Sequence, residues 1–238
     1  MTKITMQNSA PPTPIPVPKI IAVLAGFPII ATLISLLLIN RTLITDLGLD
    51  FVNTFWTIII VWYVVQIFIV SKVIEASGWG WSDIGFTLSK MKTIYLISGF
   101  LLLAYGLLLF IELALANSVV DSEKLQSISG LTPKTTTSRF IFIFMALAAG
   151  ISEEIVYRGF AIKALESHNI NKWFAVVLAS IPFIFQHGLK SIDQFWWFLI
   201  TGVFFGILFI ARKNLTLNII IHWLVILSAM VAVLQVIQ

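Results

Sequence analysis

Seven apolar runs dominate the chain, and they fix its solvent before any motif is read. Residues 20–40, 51–71, 93–116, 140–163, 173–188, 195–211 and 216–237 carry few charges. Most reach or approach the ~20 apolar residues that a helix needs to cross the hydrocarbon core of a bilayer. Inside that core every backbone N–H and C=O requires an internal partner, which a helix supplies. The expected fold is all-α, a polytopic membrane helix bundle with about seven or eight transmembrane helices. Composition agrees, with 59% hydrophobic and 11% charged residues, against about 25% charged in soluble domains. The fifth run is short and contains Pro182, which predicts a kinked or partly re-entrant helix.

Residues 1–19, MTKITMQNSAPPTPIPVPK, hold five of the eight prolines and read as a disordered polar tail. No small-residue cleavage site follows the first apolar run, so that run is not read as a removable signal peptide. Residues 20–238 then form one integral membrane domain. Lysine and arginine favour the cytoplasmic side of a membrane. With the N-terminus inside, the inner segments hold Lys3, Lys19, Lys72, Lys90, Lys92, Lys163, Lys172, Arg212 and Lys213. The outer ones hold Arg41, Lys124, Lys134, Arg139 and Lys190. The majority inside predicts a cytoplasmic N-terminus. A net charge of +4, scattered along the chain, gives no nucleic-acid footprint. The absence of cysteine rules out disulfides, thiolate metal sites and cysteine nucleophiles.

Against this apolar background, GISEEIVYRGF at 150–160 places Glu153, Glu154 and Arg158 in the fourth run. Charges at membrane depth cost roughly 2.5–3.5 kcal/mol each on insertion scales, so they pair, face a cavity or do chemistry. Glu154 and Arg158 are i,i+4 with the acid first, the favourable order for a structural ion pair. Glu153 points about 100° away on a helical wheel and is left without a role in that pair. Gly150, Ser152 and Gly159 are small enough to let neighbouring helices approach. Downstream, Phe183 and His187 share one helix face, as do Asn218 and His222. A lone histidine in a membrane serves as readily in a helix–helix hydrogen bond. Two histidines, an asparagine and a free glutamate around one cavity suit a water-activating hydrolase, with carboxylate and imidazole as bases and amide donors for an oxyanion.

These residues resemble the CAAX-protease and bacteriocin-processing (CPBP, or Abi) family of intramembrane proteases. The first motif, two glutamates, three residues and an arginine, is matched by Glu153, Glu154 and Arg158. The second, phenylalanine, three residues and histidine, is matched by Phe183 and His187, and the third begins with His222. The matching core runs from about 139 to 226. The resemblance implies an intramembrane endopeptidase in which Glu153 and His187 activate water, Glu154 and Arg158 support the site, and the third motif holds the oxyanion. It also implies a protein or peptide substrate at the membrane, and it includes prenyl-protein endopeptidases and bacteriocin-immunity proteins. Many members carry asparagine four residues after the third-motif histidine, where this chain has Ile226. Asn218 stands one turn before His222 and is the candidate amide in its place.

A divalent metal such as zinc would take Glu153, His187 and His222 as ligands, although the common HExxH pattern is absent. The preferred reading is water activated by glutamate and histidine without a tightly held metal. Two other functions compete. One is a catalytically silent immunity or scaffold protein; the other is a small transporter with Glu153 and His187 as a proton relay, for which no inverted repeat is visible. The compact chain suggests a bacterial cell membrane. Among lesser features, Glu112 is a carboxylate near a span end, and Gly202 and Gly206 form a GxxxG that predicts close helix packing. His168 reads as solvated, and Trp79 and Trp81 as part of a surface helix at the headgroups.

Overall fold

The computed structural model describes residues 13–86, 95, 98–99 and 130–237. Residues 1–12, most of the expected span 93–116 with Glu112, and the loop lysines Lys90, Lys92 and Lys124 lie outside the described residues. Helix α1 (Val17–Ser35) is followed by a 3₁₀ turn (Leu36–Leu38) and the short α2 (Thr42–Thr45). Helix α3 spans Phe51–Glu75, and α4 spans Thr136–Glu153 and runs without a break into a π-helical segment (Glu154–Ile162) and α5 (Lys163–Ser167). Then come α6 (Lys172–Phe185), α7 (Lys190–Asp193), α8 (Phe195–Arg212) and α9 (Leu215–Ile237).

Four helical stretches among the described residues are long and apolar enough to cross a membrane: Val17–Leu38, Phe51–Glu75, Thr136–Ser167 and Phe195–Arg212. Shorter apolar helices cover Lys172–Phe185 and Leu215–Val231. The architecture is a helical membrane bundle, and large side chains such as Phe68, Phe140, Phe144 and Trp196 are exposed on its surface, as a lipid-facing surface requires.

Polar residues at the ends set where the apolar helices begin. The Asp50 side chain accepts the Asn53 N–H at 2.8 Å at the start of α3. Thr135 and Ser138 form a reciprocal capping box at the start of α4, which satisfies two of the amide groups that every helix start leaves open. The Asn171 carboxamide accepts the Trp173 N–H at the start of α6. With 14 residues, α6 is about 21 Å long at 1.5 Å per residue, short of the ~30 Å hydrocarbon core. Pro182 lies within it, and the helix ends three residues later.

Small residues let the motif-bearing helix sit deep in the bundle. A Cβ at Gly150 would stand 3.1 Å from the Ile219 carbonyl, and one at Gly159 would stand 3.0 Å from the Ile84 carbonyl. Helix α8 approaches α6 through the expected GxxxG, since a Cβ at Gly206 would meet Val176 Cγ1 at 2.6 Å.

Three surface expectations differ from the structure. The stretch 77–85 is a series of turns rather than a surface helix, with Trp79 and Ile84 in the main core. Apolar burial and positive φ at Gly78 and Gly85 fold it inward, while Trp79 Nε1 donates to the Thr13 carbonyl at 2.8 Å. That contact also orders the inner end of the expected tail, where Ile15 is buried and α1 begins at Val17 rather than at residue 20. His168 is not simply solvated: its Nε2 lies 2.7 Å from the Ile15 carbonyl.

Candidate active site

The two glutamates occupy the point where α4 passes into the π-helical segment. Such segments are rare, and they are frequent at functional sites. Glu153 lines a cavity of about 350 Å³ together with Phe183, His187 and His222. Glu154, Arg158 and Asn218 stand behind this wall, each buried. All seven residues singled out from the sequence therefore meet, in two layers.

The rear layer is organised around Glu154. Its Oε1 lies 3.2 Å from Arg158 Nη1 and 2.8 Å from His222 Nδ1, and its Oε2 accepts from Asn218 Nδ2 at 3.0 Å. Arg158 is held further by the Gly202 carbonyl at 3.3 Å. Its guanidinium carbon sits 4.1 Å from the Phe183 ring centroid and 5.5 Å from that of Phe205, within cation–π range. Removing two charges from water is costly, and such a pair persists only where further hydrogen bonds complete it. In this layer His222, Asn218 and a backbone carbonyl do so.

In the front layer, Glu153 Oε1 accepts the Tyr63 hydroxyl at 2.5 Å. Its Oε2 is buried without a hydrogen-bond partner, 3.5 Å from His222 Nε2. His187 Nε2 lies 3.9 Å from Oε1. The His187 ring stacks on Phe198 with centroids 3.6 Å apart, and its Nδ1 lies 2.9 Å from the Phe183 carbonyl. An Nδ1 facing a carbonyl or a carboxylate carries the proton as its donor. Both histidines thereby turn Nε2 toward Glu153. His222 also lies between the two carboxylates, one on each ring nitrogen.

The expected role of Asn218 as oxyanion donor does not fit its placement. One side-chain nitrogen gives its two hydrogens to Glu154 and to the Phe205 carbonyl, the latter at 2.8 Å. Asn218 is also absent from the cavity wall. One helical turn is enough to place it on the Glu154 side of His222, where it positions the carboxylate. Ile226 does line the cavity and packs with Tyr63, Met145 and Ala149.

A metal is tested by the same geometry. Two imidazoles and a carboxylate are suitable zinc donors. Among the described residues, however, no group of three His, Asp or Glu side chains is placed to hold an ion.

Helix α3 supplies site residues that the motifs do not reveal. Tyr63 holds Glu153, and Gln66, fully buried, accepts the Ser152 hydroxyl at 2.8 Å. A polar residue recurring at i,i+3 in an otherwise apolar span is the one signal that points to this face. Gln186, beside His187, accepts the Tyr157 hydroxyl at 2.8 Å and lines the cavity. Lys190 stands at the same wall, and burial lowers its pKa from the usual lysine value. Replacing Tyr63 with Phe removes a hydrogen bond to a carboxylate, worth about 1.5–3 kcal/mol, from the group that must stay oriented. Turnover measured on purified protein is expected to fall roughly tenfold or more, as about 1.4 kcal/mol of lost positioning would give. Unchanged turnover would show that Glu153 is oriented without Tyr63.

Residues 135–227 match the family model described as type II CAAX prenyl endopeptidase Rce1-like. No curated protein and no solved structure gives a significant match to the chain. The matched stretch holds all three motifs and every helix of the two layers except α3. Over residues 135–227 the chain thus matches the CPBP family of CAAX proteases, the family that its motifs resemble.

Proposed function

We propose that this protein is an intramembrane endopeptidase that hydrolyses a peptide bond with water activated by Glu153 and the two histidines. The observation that carries this reading is Glu153 Oε2, a buried carboxylate oxygen without a hydrogen-bond partner at the cavity wall, with the Nε2 atoms of His187 and His222 beside the same carboxylate. A water bound in a protein needs two to four polar partners; here it would donate one hydrogen to Glu153 Oε2 and the other to one Nε2, which leaves a lone pair for the scissile carbonyl carbon. Glu153 takes a proton from this water as its oxygen attacks the scissile carbonyl carbon. A tetrahedral oxyanion forms. Glu153 then delivers that proton to the leaving nitrogen as the C–N bond breaks, which yields a new carboxylate and a new amine. Glu154 acts behind the wall: it fixes the His222 tautomer and neutralises Arg158.

The test uses purified protein in lipid nanodiscs, with a prenylated C-terminal peptide and its unprenylated counterpart as probes and mass spectrometry of the products. Cleavage at one bond supports the reading. Intact peptides in both arms would favour the silent immunity or scaffold reading, which the apolar Ile226 at the cavity wall also suits.

The proposal includes a bacterial cell membrane, as the compact chain suggests, and a cytoplasmic N-terminus, on the strength of the lysine and arginine distribution. Ser82 and Asp193 are exposed and are separated by three of the expected spans. Cysteine introduced at 193 is expected to react with an impermeant thiol reagent in intact cells, and cysteine at 82 only after lysis. The reverse pattern would invert the topology.

A further inference from the structure

Hydrolysis at Glu153 needs a donor for the developing oxyanion, and the identity of that donor rests on the hydrolytic reading. Most polar hydrogens around the site are already engaged. Asn218 gives both of its amide hydrogens to the rear layer. Arg158 faces Glu154 and the Gly202 carbonyl. Each histidine turns its Nδ1 to a protein acceptor, and the Tyr63 hydroxyl is bound to Glu153. The Trp62 indole N–H has no partner and Trp62 also lines the cavity, but no hydrogen bond fixes its direction.

Lys190 and Trp62 line the same cavity without a side-chain hydrogen bond that fixes their direction, whereas Gln186 is anchored. It is 5% exposed, follows the end of α6 next to His187, and lines the cavity. Its Oε1 accepts from the hydroxyl of Tyr157, which is 1% exposed and sits inside the first motif. An amide pinned through its oxygen has its plane set, so Nε2 is directed away from Tyr157 with its hydrogens free. Gln194 also lines the cavity, but no side-chain hydrogen bond anchors it. Stabilisation of an oxyanion depends on donors fixed before the reaction, so that none has to be reordered as charge develops.

We propose that Gln186 is the oxyanion donor of this site: its Nε2–H, held in place by Tyr157, donates to the carbonyl oxygen as negative charge gathers there. Gln186 is then a catalytic residue and Tyr157 a positioning residue. Ile226 supplies only hydrocarbon to the same cavity, so its wall offers no donor to share the role.

The test compares wild type, Gln186→Met, Gln186→Met/Tyr157→Phe and Gln186→Met/Ile226→Asn on the prenylated peptide in nanodiscs. Gln186→Met is expected to lower kcat by about 10²–10³-fold, as loss of one oxyanion donor does, with KM changed less than about twofold because the bond strengthens in the transition state. The double variant with Tyr157→Phe removes the hydroxyl left without an acceptor and is expected to keep the full loss in kcat, which separates catalysis from stability. Ile226→Asn is expected to return about tenfold of the loss by placing an amide donor on another wall of the cavity. Binding is read in parallel: a phosphinic isostere of the same peptide mimics the tetrahedral centre, and Gln186→Met should reduce its affinity advantage over the parent amide by at least tenfold. Unchanged kcat in a folded Gln186→Met protein, or an undiminished preference for the phosphinic peptide, would overturn the assignment. A Glu153→Gln protein that hydrolyses as fast as wild type would instead sink the water-activation reading, while the effect of Gln186 is still read on that turnover and on the binding ratio.

Discussion

Glu154→Gln is expected to give a protein that inserts but melts far below wild type in detergent. The substitution keeps the size of the side chain and removes the charge around which Arg158, His222 and Asn218 are arranged. Arg158, with 2% of its side chain exposed, then stays cationic in an apolar interior. Breaking a buried pair by removing one partner costs about 3–5 kcal/mol. A carboxamide also brings its own N–H₂ to a place where every neighbour is a donor, so at least one buried donor is left without an acceptor. For a chain of this size the loss corresponds to a fall in Tm of roughly 6–20 °C, at 2–4 °C per kcal/mol. Activity should fall with it, because His222 loses the carboxylate that fixes its tautomer. Glu154→Gln/Arg158→Met is expected to recover much of the stability and little of the activity, since burying neither charge avoids the desolvation cost. A Tm within about 2 °C of wild type for Glu154→Gln, under 1 kcal/mol on the same scale, would mean that the rear layer does not support the fold.

The separation between Glu154 as support and Glu153 as the cavity group is readable in the sequence because it depends on local spacing. An i,i+4 ion pair and a neighbour turned away by one residue follow from helical geometry. The pairing of Phe183 with His187 and of Asn218 with His222 is legible for the same reason. What lies out of reach is set by contacts distant in sequence. Tyr63 meets Glu153 across 90 positions, and Gln66 meets Ser152 across 86; their i,i+3 spacing marks a polar face but not the partner it meets. The role of Asn218 departs from expectation because sharing a face with His222 does not say which side of the imidazole it serves. His222 uses both of its ring nitrogens, and Asn218 is on the Glu154 side. The stretch around Trp79 and Trp81 is interfacial by composition, yet the backbone close approach at Gly159 accepts the Ile84 carbonyl and draws that loop into the core.

The spans are legible in outline, since the apolar runs at 51–71, 140–163 and 195–211 correspond to Phe51–Glu75, Thr136–Ser167 and Phe195–Arg212. Their ends are set by capping residues such as Asp50 and Thr135, which hydropathy does not see. The continuous passage from α4 into a π-helical turn has no signature in composition either.

The most direct measurement is the turnover of Glu153→Gln on the prenylated peptide at saturating concentration and neutral pH, beside wild type in the same nanodiscs. Glutamine keeps the volume of the side chain and an oxygen for the Tyr63 hydroxyl, and it leaves Glu154, Arg158 and Asn218 untouched. It cannot take a proton from water. The account predicts a fall in kcat of about 10²–10⁴-fold, the usual contribution of a positioned general base, with peptide affinity retained and Tm within a few degrees of wild type. Wild-type turnover from a purified, folded Glu153→Gln protein would contradict it.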